Sequence, residues 1–200
     1  MTFLNKPIKV GIDFDNTIAN YHGVFYQAAL EKRLIPESIS PSKGSVRDYL
    51  RSIDQEEEWT KLQGYIYGAR MDLATPYQGV NTFFIRCLES RIQTVIVSHK
   101  TKTPYLGPKY DLHSAAKKWL EKQPFTADNA FFELTLREKL SRISALNCDY
   151  FIDDLPELFA EEAFPSHVKK ILFDPTDSHP NVPGEIRATS WNAISQLIHG

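Results

Sequence analysis

The stretch Ile8-Lys9-Val10-Gly11-Ile12-Asp13-Phe14-Asp15-Asn16-Thr17 decides how the rest of the chain is read. The apolar run 8–14 is short and rich in β-branched residues, as expected of a buried strand. It ends in two carboxylates, Asp13 and Asp15, whose i, i+2 spacing turns both to one side of an extended backbone. Acids this close repel, and a cation is what keeps both ionised. A donor set made only of oxygen suits Mg²⁺.

Working outward, further short apolar runs lie at 92–97, 129–132, 149–152 and 168–173. Helical stripes separate them: Val80, Phe83, Phe84, Cys87 and Leu88; Leu112, Ala115, Ala116, Trp119 and Leu120; Leu136, Leu140, Ile143 and Leu146; Trp191, Ile194, Leu197 and Ile198. Strand and helix alternating in this way predict an α/β fold. Its core is Rossmann-like and three-layered, with a parallel sheet covered on both faces. Ligands of such sheets bind beyond the carboxyl ends of the strands. Ser98 follows the second run, in Val97-Ser98-His99-Lys100, and Asp153-Asp154 close the run at 149–152. A hydroxyl at a strand end can donate to a phosphate oxygen. Arg137 and Lys139 lie on the helix before Asp153.

The segment 20–76 breaks this rhythm, because it reads as helices over 21–34, 45–53 and 55–67 with Pro36, Pro41 and Gly44 between them. It is expected to be a helical insertion after the first strand, dividing the chain into a core of 1–19 and 77–200 and an insertion of 20–76. Lys43, Arg47 and Arg51 recur at i, i+4, i+8 as a basic stripe, read first as a solvated face beside Glu56, Glu57 and Glu58 and second as an anion site. Tyr21, Phe25, Tyr26, Trp59, Tyr65 and Tyr67 are expected to build a small core there.

Composition narrows the function classes. A chain of 200 residues with 42% hydrophobic and 24% charged residues can bury a core, which excludes disorder. A net charge of -2 disfavours a nucleic-acid polymer as partner. Two cysteines without metal-type spacing exclude a disulfide scaffold and fit a reducing, cytoplasmic compartment. The N-terminal stretch lacks an apolar leader, and no run is long enough to span a membrane. The oligomeric state has no signal in the sequence.

Together these pieces resemble the haloacid dehalogenase-like hydrolase superfamily. Asp13-x-Asp15-x-Thr17 is similar to its first motif and Val97-Ser98 to its second. Lys139 is similar to the third, kept over Arg137 because a compact ammonium suits the role better than a guanidinium. Asp153-Asp154 is similar to the fourth. The resemblance implies that 20–76 is a cap and that the protein is a Mg²⁺-dependent phosphatase acting on a small phosphorylated metabolite, such as a nucleotide or sugar phosphate. It implies Asp13 as nucleophile, Asp15 as acid and base, and Ser98 and Lys139 as ligands of the phosphoryl group. Asp13, Asp15 (through its backbone carbonyl) and Asp153 or Asp154 would hold the metal, and which of the last two binds directly stays open. Thr17, Ser98, His99 and Lys100 are the expected substrate contacts. Members resembling dehalogenases lack the acid at Asp15, since halide leaves without a proton, so its presence favours phosphoryl transfer. Transfer to an acceptor other than water stays open, and so does a fold kept without turnover whose cap serves as a partner-binding surface, although every expected catalytic position is filled. Receiver modules also gather acids, a hydroxyl and a lysine, but they place their acceptor after the third strand.

Overall fold

The computed structural model describes residues 6–200; the first five residues, which belong to the stretch read as lacking a leader, lie outside them. By their internal contacts the described residues form two units. One comprises the residues up to Ile18, Pro76–His99 and Gln123–Gly200, and the other Ala19–Thr75 and Lys100–Lys122.

The first unit is built on a six-stranded sheet. Its strands are β1 (Lys9–Ile12), β4 (Gln93–His99), β5 (Asn129–Glu133), β6 (Tyr150–Asp153), β7 (Lys169–Phe173) and β8 (Glu185–Ala188). The number β2 belongs to Ala19–Asn20 and β3 to Thr75–Pro76, which pair as a separate ribbon where the chain passes from one unit to the other. The sheet order is β5-β4-β1-β6-β7-β8, and every pairing is parallel. The chain steps outward from β1 through β4 to β5, then crosses to β6 on the other side. The order therefore reverses beside β1, which is where open parallel sheets place their ligands.

Helices α4 (Val80–Glu89), α6 (Leu136–Leu146), α7 (Pro156–Ala160) and α8 (Trp191–His199) cover this sheet. Side-chain alternation fixes which face each one takes. Leu172 joins a buried cluster with Leu140 and Ile143 of α6 and Leu158 and Phe159 of α7. Its neighbour Phe173 meets Trp191 of α8, with ring centroids 5.8 Å apart. Successive strand residues point to opposite faces, so α6 and α7 lie on one face and α8, packed with α4, on the other. This is the expected three-layer α/β architecture. The edge strand β8, whose Glu185 and Arg187 interrupt the apolar pattern, was not legible as a strand.

The second unit holds α1 (Val24–Glu31), α2 (Lys43–Ser52), α3 (Glu56–Gly68), a 3₁₀ turn at Met71–Leu73 and α5 (Leu112–Glu121). The helices expected over 21–34, 45–53 and 55–67 are α1, α2 and α3. Phe25 is fully buried between Trp59 and Tyr67, with centroids 5.2 and 5.9 Å away, so the aromatic residues do form a core. The division of the chain differs from the sequence expectation in one respect: 100–122, read as part of the sheet unit, packs with the insertion instead. The cause is local and steric. Gly64 and Gly68 stand one turn apart on α3, and a Cβ on them would fall 2.5 Å from Pro104 and 2.4 Å from Tyr110. Only the bare backbone lets this segment approach so closely. The buried Trp119 indole then donates to the Ala74 carbonyl at 2.9 Å. Among the described residues no helix is long and apolar enough to cross a membrane.

Candidate active site

The site lies in the first unit, at the carboxyl ends of β1 and β6. Asp13 follows β1, and its backbone N–H donates to the Ile152 carbonyl at 2.8 Å, tying the strand exit to β6. Asn16 then takes a left-handed conformation, φ 59°, which asparagine tolerates better than most residues. The backbone turns sharply there, so Thr17 comes back over the end of β6. Its hydroxyl donates to Asp154 Oδ1 at 3.3 Å.

Lys139 reaches the same place from α6. That helix starts in a capping box, in which the Thr135 hydroxyl accepts from the Glu138 N–H at 3.1 Å and the Glu138 carboxylate accepts from the Thr135 N–H at 2.9 Å. The box fixes the first turn, and Lys139 sits one position before Leu140 on the buried stripe. Its ammonium lies 2.6 Å from Asp13 Oδ1 and 2.6 Å from Asp153 Oδ2. Lys139 is 3% exposed, Asp13 5% and Asp153 fully buried, so this is an interior ion triad. Asp153 uses its other oxygen to accept the Leu155 N–H at 2.9 Å. Arg137, the competing cation, is exposed.

The charges do not balance. Burial, the largest influence, pushes Asp13 up to about 7; Lys139 opposes this, while the charges of Asp153 and Asp15 add to it. For Lys139, burial pulls downward, but Asp13 and Asp153 outweigh it and hold the ammonium above its usual range. Asp13, Asp153 and Asp154 each place a carboxylate oxygen within 4.8 Å of the others. Three carboxylates facing one ammonium leave an excess of negative charge, and their hard oxygen donors fit Mg²⁺ or a similar divalent cation.

The structure thus brings together Asp13, Lys139, Asp153, Asp154 and Thr17. Asp15 is half-buried, and its carboxylate is not one of the three clustered acids. Thr17, expected at the substrate, spends its hydroxyl on Asp154. Ser98 is 1% exposed at the end of β4, level with Phe132 of β5. His99 is exposed, and its Nε2 lies 3.1 Å from the Leu134 carbonyl, to which only a ring N–H can donate. Lys100 is buried in the second unit, its ammonium 4.6 Å from the centre of the Tyr67 ring.

Two residues that support the site carried no functional signal in the sequence. Trp191, fully buried, was legible only as part of an apolar stripe; its indole N–H donates to the Thr17 carbonyl at 3.0 Å. The turn that holds Asp154 is therefore itself held by the last helix. Tyr77 packs edge-on against Phe173, and burial, with the Asp154 charge nearby, pushes its phenol up to about 12.

The chain matches no protein-family profile and no curated protein sequence. Solved structures do resemble it. A HAD-superfamily hydrolase from Ehrlichia chaffeensis is 17% identical, with 97% of each chain covered and a TM-score of 0.57. The L-2-haloacid dehalogenase RSc1362 is 9% identical over 98% of this chain and 100% of its own, with a TM-score of 0.62. The HAD-hydrolase YfnB from Bacillus subtilis, whose structure is bound to magnesium, is 10% identical over 98% of this chain and 100% of its own, with a TM-score of 0.53. The chain has the fold of the haloacid dehalogenase-like hydrolases.

Proposed function

We propose that this protein is a cytoplasmic, Mg²⁺-dependent phosphatase that hydrolyses a small phosphorylated metabolite through an aspartyl-phosphate, with the second unit acting as a substrate-selecting cap. The observation that carries the reading is the buried Asp13–Lys139–Asp153 triad at the reversal of strand order, with a second acid, Asp15, two residues beyond Asp13.

In this reading an Asp13 oxygen attacks phosphorus in line, and the bond from phosphorus to the leaving oxygen breaks. Asp15 gives its proton to that oxygen. It then takes a proton from the water that attacks the aspartyl-phosphate, which releases phosphate and restores the Asp13 carboxylate. Lys139 keeps Asp13 ionised in a dry site and holds the phosphoryl oxygens as charge builds on them. The Ser98 hydroxyl donates to one of those oxygens. Asp13, the Asp15 carbonyl and Asp153 or Asp154 would hold Mg²⁺, which when bound offsets charge between carboxylate and phosphate. Thr17 and the Leu155 N–H keep Asp154 and Asp153 oriented. Dehalogenases occur among the structural neighbours, but a departing halide needs no proton, and Asp15 would then have no task.

The test is Asp13→Asn, assayed with p-nitrophenyl phosphate and Mg²⁺. The variant is expected to keep its circular dichroism spectrum and lose turnover. A folded variant that still hydrolyses the ester refutes the nucleophile assignment.

A further inference from the structure

The basic stripe of α2 is divided among neighbours. Arg47 Nε lies 2.8 Å from Asp48, Arg51 grips Glu56, and Lys43 Nζ lies 3.0 Å from the Tyr67 hydroxyl. Arg86, in the last turn of α4, is placed differently. Among the described residues its guanidinium pairs with no carboxylate. It reaches across to α8 and donates to a neutral group, the Ser195 hydroxyl, at 2.9 Å.

Helices α4 and α8 pack together within the first unit, and a cleft of about 190 Å³ opens between them. Thr82 and Arg86 line it from α4, and Asn192, Ser195 and Gln196 line it from α8. Residues three or four apart share a helix face, so each helix turns a polar face to the cleft. Gly79 lies at its head with φ 94°, and a Cβ there would fall 3.0 Å from Trp191 Cβ and 3.1 Å from Asn192 Oδ1. A glycine is what lets the first turn of α8 come so close. The buried Phe83, its ring centroid 5.0 Å from that of Trp191, closes the cleft toward the core.

The cleft gathers donors and a positive charge, and none of the residues that line it is an acid. Arg86 keeps guanidinium N–H groups beyond the one given to Ser195. The Ser195 hydroxyl, 4% exposed, accepts that bond, and among the described residues it donates its own proton to nothing. A buried donor without an acceptor is costly. An oxyanion supplies the acceptor and balances the guanidinium, whose planar fork matches carboxylate and phosphate oxygens. The Thr82 hydroxyl and the Asn192 and Gln196 amides can add hydrogen bonds to it. Size narrows the occupant. Pockets for drug-sized ligands measure about 300–1,000 Å³, so this cleft suits a small ion better than a nucleotide.

We propose that the cleft between α4 and α8 is a second oxyanion site, in which Arg86, Ser195 and Thr82 donate to a small free phosphate or carboxylate. Its residues are not those of the Asp13 cluster, and the proposal stands apart from the phosphatase reading.

Calorimetric titration of the protein with inorganic phosphate in EDTA tests it. Without a divalent cation the carboxylates of Asp13, Asp153 and Asp154 repel phosphate, so the heat reports on sites elsewhere. A Kd of about 1 mM or tighter is expected. Arg86→Gln should weaken it about tenfold, and Arg86→Lys should restore part of the loss. Sodium tungstate, which mimics phosphate and scatters anomalously, locates the site: soaked wild-type crystals should show a peak within hydrogen-bond reach of the Arg86 guanidinium and Ser195 Oγ. No binding by wild type, or tungstate found only elsewhere, overturns the proposal, and these two wild-type results decide even where Arg86→Gln fails to fold. A peak in the cleft with phosphate affinity unchanged in folded Arg86→Gln means an adventitious ion only and overturns it too. Competition separates the two sources of the oxyanion: equimolar acetate that displaces phosphate assigns the site to a carboxylate, and phosphate that resists it assigns the site to phosphate. A protein that hydrolyses no phosphate ester refutes the phosphatase reading, while the titration and the soak still decide the cleft.

Discussion

Replacing Lys139 with methionine removes the one ammonium between Asp13 and Asp153 while keeping most of the buried stem. At 2.6 Å each contact is worth about 6 kcal/mol of Coulomb attraction at an effective dielectric near 20. Desolvation of the three groups consumes most of that gain. What remains after the change is two buried acids with no counter-charge, and removing one partner of a buried pair costs about 3–5 kcal/mol. For a chain of this size that corresponds to a fall in Tm of about 6–20 °C. The loss depends on pH in a fixed direction. Asp13 already sits near 7 with Lys139 in place, against an ordinary 3.8, and without the lysine it moves further up. A carboxyl raised in the folded state costs stability once pH exceeds its unfolded value, and the cost grows until pH reaches the folded value. The deficit should therefore be larger at pH 7.5 than at pH 5. Urea unfolding of metal-free wild type and Lys139→Met at both pH values measures it. A deficit below about 1 kcal/mol at pH 7.5, or one equal at the two pH values, refutes the electrostatic account of this triad.

Two further outcomes follow from the same site. Asp15→Asn should lower kcat/KM for an alkyl phosphate by about 10²–10⁴-fold but that for p-nitrophenyl phosphate much less, because kcat/KM reports the steps through departure of the leaving group and nitrophenolate leaves without a proton; equal losses of kcat/KM on both esters would remove Asp15 from the acid role. Trp191→Phe keeps the packing against Phe83 and Phe173 but deletes the N–H held by Thr17, so calorimetric titration with MgCl₂ should show binding weakened about tenfold, and unchanged affinity would show that the indole does not orient Asp154.

What the sequence made legible was mostly what is local. The run into Asp13 and Asp15 reads as a strand end because apolar residues stop at a pair of acids. Lys139 is a first-turn residue beside Leu140, and its inward direction follows from the stripe that continues to Ile143. Its two partners, by contrast, come from elements far away in the chain. Trp191 is the clearest case of what stays hidden. Its burial was legible, but the destination of its N–H is a carbonyl 174 residues away. The strand β8 was hidden because an edge strand need not be apolar. The helix α5 was read correctly, but its partner depends on Gly64 and Gly68, and a glycine in a helix does not announce what packs on it.

Those two glycines also bear on how such proteins can be recombined. The second unit is one packed body made of two stretches of chain, Ala19–Thr75 and Lys100–Lys122. A chimera that imports only the first stretch would set a foreign α3 against the resident Pro104 and Tyr110. Any donor with a side chain at the positions of Gly64 or Gly68 would collide with them. The two stretches are therefore exchanged as a pair, and a graft of this unit between similar folds has to carry both together.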